Sequence, residues 1–181
     1  MKSLTLLLSL GVFLFGTAAD AALKAGDAAP DFTLKAAQGG KDFTFSLAET
    51  LKQGPVVLYF YPKSFTSVCT AEARAFAENI EAFRAAGAAV IGVSSDPIDV
   101  QREFSAKECR DKFPVGADPD LSVIRAYKAA FSMPGMAFAN RISYVISPAG
   151  KVLYTYADPD GEKHIEKALA VVRRWHDEQR R

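Results

Sequence analysis

One stretch of sequence decides the fold of this chain: Val56-Val57-Leu58-Tyr59-Phe60-Tyr61-Pro62, closely followed by Thr66-Ser67-Val68-Cys69. Its apolar first half is typical of a strand buried inside a sheet. An alanine- and glutamate-rich segment follows directly, with Phe76, Ile80 and Phe83 at helical spacing. A strand, a tight turn and the start of a helix therefore converge on the thiol of Cys69.

The start of a helix is a position where a cysteine becomes reactive. Its unpaired backbone N–H groups and the positive end of its dipole both favour the thiolate over the thiol. The thiolate is the nucleophile. Cys69 is therefore a candidate nucleophile, and the alternative is a structural cysteine that behaves as a small apolar side chain.

The rest of the chain predicts further strands and helices in alternation. Outside 56–61, short strands are predicted at 32–34, 43–45, 88–93 and 115–117, and a hairpin at 141–156 that turns through Ser147-Pro148-Ala149-Gly150. Helices are predicted at 46–52, 69–87, from Pro97 to about Arg110, at 120–130 and at 161–179, whereas 131–140 is predicted to be a loop. This order predicts an α/β fold: a three-layer α/β/α sandwich with a central mixed β-sheet.

The composition is that of an ordinary globular protein. The chain has 181 residues, of which 49% are hydrophobic and 24% charged, and its net charge is +1. Such a balance gives no sign of a nucleic-acid interface or of a strongly acidic partner. The sequence has no Cys-x-x-Cys, and both histidines, His164 and His176, are interpreted as exposed residues of the last helix. We therefore expect neither a metal site nor a cofactor.

Residues 1–21 have the pattern of a secretory signal peptide. Lys2 is followed by an apolar core at 4–16 and by Ala19-Asp20-Ala21, a small-x-small cleavage site. The apolar core is shorter than the roughly 20 residues that span a membrane, so we expect no stable membrane association. The expected product is a periplasmic or secreted protein whose domain comprises residues 22–181, with an uncleaved anchor as the alternative.

The motif Pro62-x-x-x-Thr66-x-x-Cys69, placed between a strand and a helix, resembles the active-site signature of the peroxiredoxins. The segments Gly26-Asp27-x-x-Pro30-Asp31-Phe32 and Arg141-x-Ser143-Tyr144-Val145-Ile146 resemble the N-terminal and arginine-bearing segments of the same family. The stretch from Phe60 to Glu72 is most similar to the bacterioferritin-comigratory, or Q-type, branch. The resemblance covers nearly the whole domain and implies a thioredoxin-like fold.

The resemblance also implies a function and site residues. It implies a thiol-dependent peroxidase that reduces hydrogen peroxide and organic hydroperoxides through a sulfenic acid on Cys69. Arg141 would favour the thiolate and fix the peroxide oxygens. Thr66 would orient the peroxide, Pro62 would cover the pocket, and Glu72 is interpreted as a partner of Arg141 or a charge on the helix face. The expected reductant is a thioredoxin-like protein or a low-molecular-weight thiol, and the expected assembly is a monomer or a homodimer.

The cysteine that resolves the sulfenic acid is harder to assign. Many Q-type members have a second cysteine five residues after the first, where this chain has Arg74. Cys109, at the end of the next predicted helix, is a tentative resolving cysteine. It lies about 140° around that helix from Phe104, among charged neighbours, which predicts an accessible thiol. A one-cysteine mechanism with an external thiol stays open.

Two other functions remain open from the sequence. A thioredoxin-fold thiol–disulfide oxidoreductase is disfavoured by Thr66, which stands where the first cysteine of a Cys-x-x-Cys motif would be. Reduction of insulin without peroxide would indicate it. A non-enzymatic peroxide sensor would use the same thiolate, and slow turnover with a persistent mixed disulfide would indicate that function.

Overall fold

The computed structural model describes residues 21–181, so all of the predicted signal peptide except Ala21 lies outside the described residues. The strands in this range are β1 Thr33–Gln38, β2 Lys41–Ser46, β3 Val56–Phe60, β4 Ala89–Ser94, β5 Val115–Ala117, β6 Ala130–Met133, β7 Met136–Ala139, β8 Ile142–Ile146 and β9 Val152–Ala157. The helices are α1 Leu47–Leu51, α2 Ser67–Ala85, α3 Ile98–Lys107, α4 Ser122–Ala126 and α5 Gly161–Gln179. None of these helices is long and apolar enough to cross a membrane.

Seven of the strands form one mixed sheet, in the order β2-β1-β5-β4-β3-β8-β9. β3, β4 and β5 run parallel to one another, and the other neighbours in this sheet are antiparallel. β3 lies inside the sheet between β4 and β8, and all five of its residues are buried. The prediction of a central mixed sheet with a buried strand before Cys69 is confirmed.

Helices cover both faces of this sheet, because the side chains of β3 alternate between two apolar cores. Tyr59 contributes to the first core, which lies on the face that α2 and α5 cover and which also includes Phe104 of α3. Leu58 contributes to the other core, which α1 and α4 cover with residues such as Leu47 and Ile124. The predicted three-layer arrangement is confirmed.

The first core depends on a glycine beneath an aromatic ring. Tyr59 stacks on Phe76 of α2, with the ring centroids 4.4 Å apart. A Cβ on Gly92, the neighbour of Tyr59 in β4, would come within 2.5 Å of the Tyr59 ring. Only glycine therefore lets this ring lie between the sheet and α2.

Residues 130–139 differ from the sequence-based expectation. They form an antiparallel hairpin of β6 and β7, with Met133 opposite Met136, instead of a loop. Gly135 turns the chain with φ of 79°. The strands are rich in alanine and methionine and poor in β-branched residues, so they lack the sequence pattern of a strand. The tip of this hairpin is exposed.

The end of α3 also differs, and this changes the environment of Cys109. The helix ends at Lys107, and Arg110 and Asp111 then adopt left-handed conformations with φ of 51° and 59°. The chain therefore turns back, and the Cys109 side chain packs into the first core, with no exposed surface. The prediction of an accessible Cys109 thiol is wrong, because it assumed that the helix continued through this residue.

Candidate active site

The thiol of Cys69 lies in the first turn of α2. The first backbone hydrogen bond of the helix runs from the N–H of Thr70 to the carbonyl of Thr66. The N–H groups of residues 67–69 therefore have no acceptor within the helix and present the positive end of its dipole. Only 2% of Cys69 is exposed. The local environment thus combines apolar packing with backbone donors.

Arg141, the residue directly before β8, contacts this thiol from the strand next to β3. Its Nη2 donates a hydrogen bond to Cys69 Sγ at 3.2 Å. The register of the sheet explains this contact, because β8 pairs with β3 so that Ile142 lies opposite Phe60. Arg141 is therefore placed beside the end of β3, where the chain turns towards Cys69. The structure brings together two side chains that are 72 residues apart in sequence.

Glu72 holds the other side of the same guanidinium. Nη1 of Arg141 donates to Glu72 Oε2 in a contact that is almost completely buried. Burial raises the pKa of Glu72 from 4.5 to about 8, although Arg141 acts in the opposite direction. Gly161 of α5 packs against Glu72, since a Cβ on that glycine would lie 2.7 Å from Glu72 Cβ. The contact with Arg141, one of the two interpretations of Glu72, is confirmed, and α5 fixes its position.

Thr66 occupies the N-cap position of α2 without capping it. Its side chain makes no capping hydrogen bond to the helix. Instead, Oγ1 donates to the carbonyl of Lys63 at 3.0 Å. Thr66 is exposed, so its hydroxyl oxygen keeps acceptor capacity towards solvent. Thr66 therefore lies three residues before Cys69, with an exposed hydroxyl that a small polar molecule can contact.

A buried polar network supports the turn between β3 and α2. The backbone N–H of Ser64 donates to Asp96 Oδ2 at 2.6 Å, and Tyr61 Oη donates to Gln101 Oε1 at 2.7 Å. Gln101 Nε2 in turn donates to Ser94 Oγ at 2.7 Å. Sequence reasoning missed this support. The sequence feature that could have indicated this network is Gln101, a polar residue three positions before Phe104 on the buried face of the helix.

An open cleft of about 590 Å³ leads to the site. Pro62 and Val68 line it on the side of Cys69, and Arg141 lines it with Phe138 from the β6–β7 hairpin. Pro62 has no N–H group, so this part of the wall adds no competing backbone donor. Of the four residues predicted from the motif, Pro62 and Arg141 line this cleft and Arg141 contacts Cys69, whereas the Thr66 hydroxyl bonds to Lys63 at the N-cap of α2. This cleft is large enough to admit a small polar molecule.

His164 lies behind the site and is not exposed. Its Nδ1 and Ser143 Oγ are 2.8 Å apart, and its Nε2 lies 2.9 Å from the carbonyl oxygen of Asp158. Burial lowers the pKa of His164, which favours the neutral ring. The prediction of an exposed histidine is wrong, because the buried face of α5 extends to include it. Within residues 21–181, no three side chains of the His, Cys, Asp and Glu types are grouped so as to hold a metal ion.

The second cysteine has a different environment from the first. Cys69 and Cys109 are both free thiols and belong to the same apolar core. Burial raises the pKa of Cys109, and the nearby carboxylates of Glu108 and Asp111 raise it further. These three effects all favour the neutral thiol of Cys109 in the closed structure.

The chain is similar to proteins of known family. The model of the AhpC/TSA family matches residues 25–155. Peroxiredoxin Q of Triticum aestivum, a chloroplastic protein, is 38% identical over 122 residues, which are 67% of this chain and 55% of that protein. A putative peroxiredoxin of Mycobacterium tuberculosis is 33% identical over 129 residues, which are 70% of this chain and 83% of that protein. The match thus spans about half the length of the wheat protein.

Solved structures give the same result. Peroxidoxin BcpB of Mycobacterium tuberculosis superposes with a TM-score of 0.77 at 31% identity, covering 84% of this chain and 97% of that one. Peroxiredoxin Q of Xanthomonas campestris superposes with a TM-score of 0.70 at 26% identity, covering 79% of this chain and 91% of that one. The predicted thioredoxin-like fold is confirmed by this likeness.

Proposed function

Because the chain belongs to the AhpC/TSA family, as a peroxiredoxin of the Q type, we propose that it is a thiol-dependent peroxidase for hydrogen peroxide and organic hydroperoxides. One observation carries this proposal: the guanidinium of Arg141 bridges Cys69 Sγ and the carboxyl group of Glu72 beside an open cleft. A permanent cation in contact with sulfur favours the thiolate, and it offers further N–H donors to an incoming oxygen.

In the first step, the thiolate of Cys69 attacks one oxygen of the peroxide. A sulfur–oxygen bond forms and the oxygen–oxygen bond breaks, so Cys69 becomes a sulfenic acid and the peroxide is reduced. The leaving oxygen takes a proton and departs as water or an alcohol. Negative charge develops on this oxygen in the transition state, where Arg141 and the N–H groups at the start of α2 stabilise it.

Thr66 and Pro62 shape the position of the peroxide. The hydroxyl of Thr66 already donates to Lys63, and its oxygen can accept a hydrogen bond from the peroxide. Pro62 lines the cleft without offering an N–H that would compete for the same oxygens. Together they leave the peroxide with Arg141 as its strongest donor.

In the second step, we assign Cys109 as the resolving cysteine. Its sulfur attacks the sulfur of the Cys69 sulfenic acid, a disulfide forms, the sulfur–oxygen bond breaks, and water leaves. The support for this assignment is that both cysteines are free thiols of one apolar core. Cys109 is fully buried, so the step requires local opening of the chain around it. An external dithiol or thiol then reduces the disulfide.

The test is the intact mass of the protein after one equivalent of hydrogen peroxide and rapid alkylation. The wild-type chain should lose two hydrogens, whereas Cys109→Ala should carry a trappable sulfenic acid on Cys69. Alanine is preferred to serine here, because a serine hydroxyl in this apolar core would lack a partner. A sulfenic acid on Cys69 in both proteins would remove Cys109 from the mechanism. Unreacted Cys69 in both would refute the peroxidase itself.

The physiological setting belongs to the same proposal. We propose export, supported by the signal-like pattern of residues 1–21, with a thioredoxin-like protein or small thiol as the reductant. We also propose that the protein is a monomer or a homodimer. The intact mass of protein recovered from the periplasm or medium tests export, and light scattering of the purified chain tests the assembly.

A further inference from the structure

The segment that carries Cys109 is tied to the helix that carries Cys69. Residues 108–112, here called the Cys109 turn, run alongside α2 after the end of α3. Arg74 Nε of α2 donates to Glu108 Oε2 at 2.7 Å, in an ion pair with the residue directly before Cys109. Only 13% of the Glu108 side chain is exposed, against 51% for Arg74. This ion pair links the two cysteine-bearing segments directly.

Two further contacts tie the same turn to the same helix. Arg110 Nη1 lies 3.3 Å from Glu78 Oε1 of α2. At the end of the turn, Arg84 Nη2 of α2 donates to the carbonyl of Lys112 at 2.7 Å. Together with the Arg74–Glu108 pair, these contacts form a strap, a set of three attachments from α2 to the beginning, middle and end of the Cys109 turn.

The strap holds a strained conformation. Arg110 and Asp111 are consecutive left-handed residues, neither of them glycine, and such residues persist only where their surroundings hold them. Beneath them, the Cys109 thiol is fully buried. Opening of the turn would relieve the backbone strain and expose this thiol, so attachments to α2 oppose opening.

We propose that the strap, and the Arg74–Glu108 ion pair above all, holds the Cys109 turn closed and sets the rate at which Cys109 resolves the sulfenic acid. This inference rests on the proposed function and adds a control to its second step. The chemistry needs no further reactant: a disulfide forms, the sulfur–oxygen bond of the sulfenic acid breaks, and water leaves with the thiol proton. While the turn is closed, a second peroxide can oxidise the sulfenic acid to sulfinic acid.

The opening of the turn can be measured without peroxide. In a Cys69→Ser background, native-state alkylation of Cys109 by iodoacetamide reports how often the turn opens. Arg74→Met, which keeps the apolar stem and removes the charge, should increase this rate about two- to fivefold, as expected for a partly exposed ion pair. The matched control is Glu103→Gln, which breaks an ion pair with Lys107 within α3 and should leave the rate unchanged.

The resolving role is measured with both cysteines present. Arg74→Met should increase the rate of disulfide formation after a peroxide pulse by the same factor and decrease the yield of sulfinic acid. The rate of Cys69 oxidation should not change.

Three outcomes would contradict parts of this scheme in distinguishable ways. Equal alkylation rates in Arg74→Met and the control would overturn the strap. Faster alkylation with unchanged disulfide formation would overturn its resolving role. Failure of peroxide to oxidise Cys69 in all of the proteins that keep this cysteine would refute the proposed function, and the resolving role with it. The alkylation rates in the Cys69→Ser background would still show whether the strap holds the turn.

Discussion

The two cysteines are almost equally buried, yet the charged groups nearest to them have opposite signs. Cys69 has 2% of its surface exposed and Cys109 has none. Cys69 lies at the start of a helix in contact with the Arg141 guanidinium. Cys109 lies after the end of a helix, next to the carboxylates of Glu108 and Asp111, which together with burial raise its pKa. Charge and backbone direction therefore distinguish the two thiols, whereas exposed area does not.

This contrast fits the two different tasks that we propose for the thiols of this core. A nucleophile for peroxide has to be ready in the closed structure, with its donors already in place. A resolving thiol has to stay unreactive until the first step is complete. Burial among aromatic rings and carboxylates, under a turn that must open, meets the second requirement.

The strongest test of this contrast removes the cation beside Cys69 and leaves the surroundings of Cys109 unchanged. Arg141→Met should decrease the rate of Cys69 oxidation by hydrogen peroxide about 10²–10³-fold, the usual cost of losing a transition-state donor. The alkylation rate of Cys109 should stay as it is. Stopped-flow kinetics with a rapid alkylation quench measures both. Arg141→Lys is the informative control. It keeps the positive charge, but a single ammonium cannot donate from two separate nitrogens to Cys69 and Glu72 as a guanidinium does.

The second test compares the two thiols within one molecule. Under native conditions, iodoacetamide should alkylate Cys69 on the order of 100 times faster than Cys109, since Cys109 reacts only when its turn opens. Peptide mass spectrometry at increasing times gives both rates. In urea the two rates should approach each other, and similar rates in the folded protein would contradict the contrast.

The third test concerns Thr66, the N-cap residue of α2. Thr66→Val should decrease the rate of Cys69 oxidation about tenfold, because an acceptor for the peroxide is lost at a site that develops charge. Thr66→Ser keeps the hydroxyl and should retain most of the rate. The alkylation rate of Cys69 should change little in either variant. A valine variant with the wild-type peroxide rate would remove Thr66 from the mechanism.

The fourth test measures how the buried carboxyl group of Glu72 affects the free energy of unfolding. The folded protein keeps a proton on Glu72 up to a pKa of about 8, whereas the unfolded carboxyl releases it near 4.5. Between these values the unfolded state binds fewer protons, so the free energy of unfolding should fall as the pH rises from about 5 to 8. Glu72→Gln should flatten this fall in urea titrations at the two pH values. Glu81→Gln, an exposed carboxyl of the same helix, should leave it unchanged.

The parts of this structure that sequence could predict are those decided by local pattern. The strand before Cys69, the helix after it and the turn through Gly150 all depend on neighbouring residues, and the structure has each of them. The hairpin around Gly135 was missed because its strands lack β-branched residues. The length of α3 was overestimated because left-handed Arg110 and Asp111 carry no marker comparable to glycine.

Only part of the active site is built from residues that are close in sequence, and only that part could be predicted from the local pattern. Pro62, Thr66 and Cys69 all lie within eight residues between the end of β3 and the first turn of α2, so their proximity follows from their spacing in the sequence. Arg141 contacts Cys69 through the register of β8 on β3, which no pattern in the sequence specifies, and only the resemblance to a family indicated it. The burial of His164 and of Cys109 depends on packing between distant segments. It could therefore not be inferred from the helical position of either residue alone.

The packing of Gly161 against Glu72 has a consequence for biosynthesis. A chain grows from its N-terminus, so Cys69 is synthesised well before the arginine 72 positions later that touches its sulfur. The first turn of α5, which fixes Glu72, is made later still. A nascent or truncated chain therefore carries the cysteine before the cation that contacts it, and the complete site can assemble only after Gly161 has been synthesised.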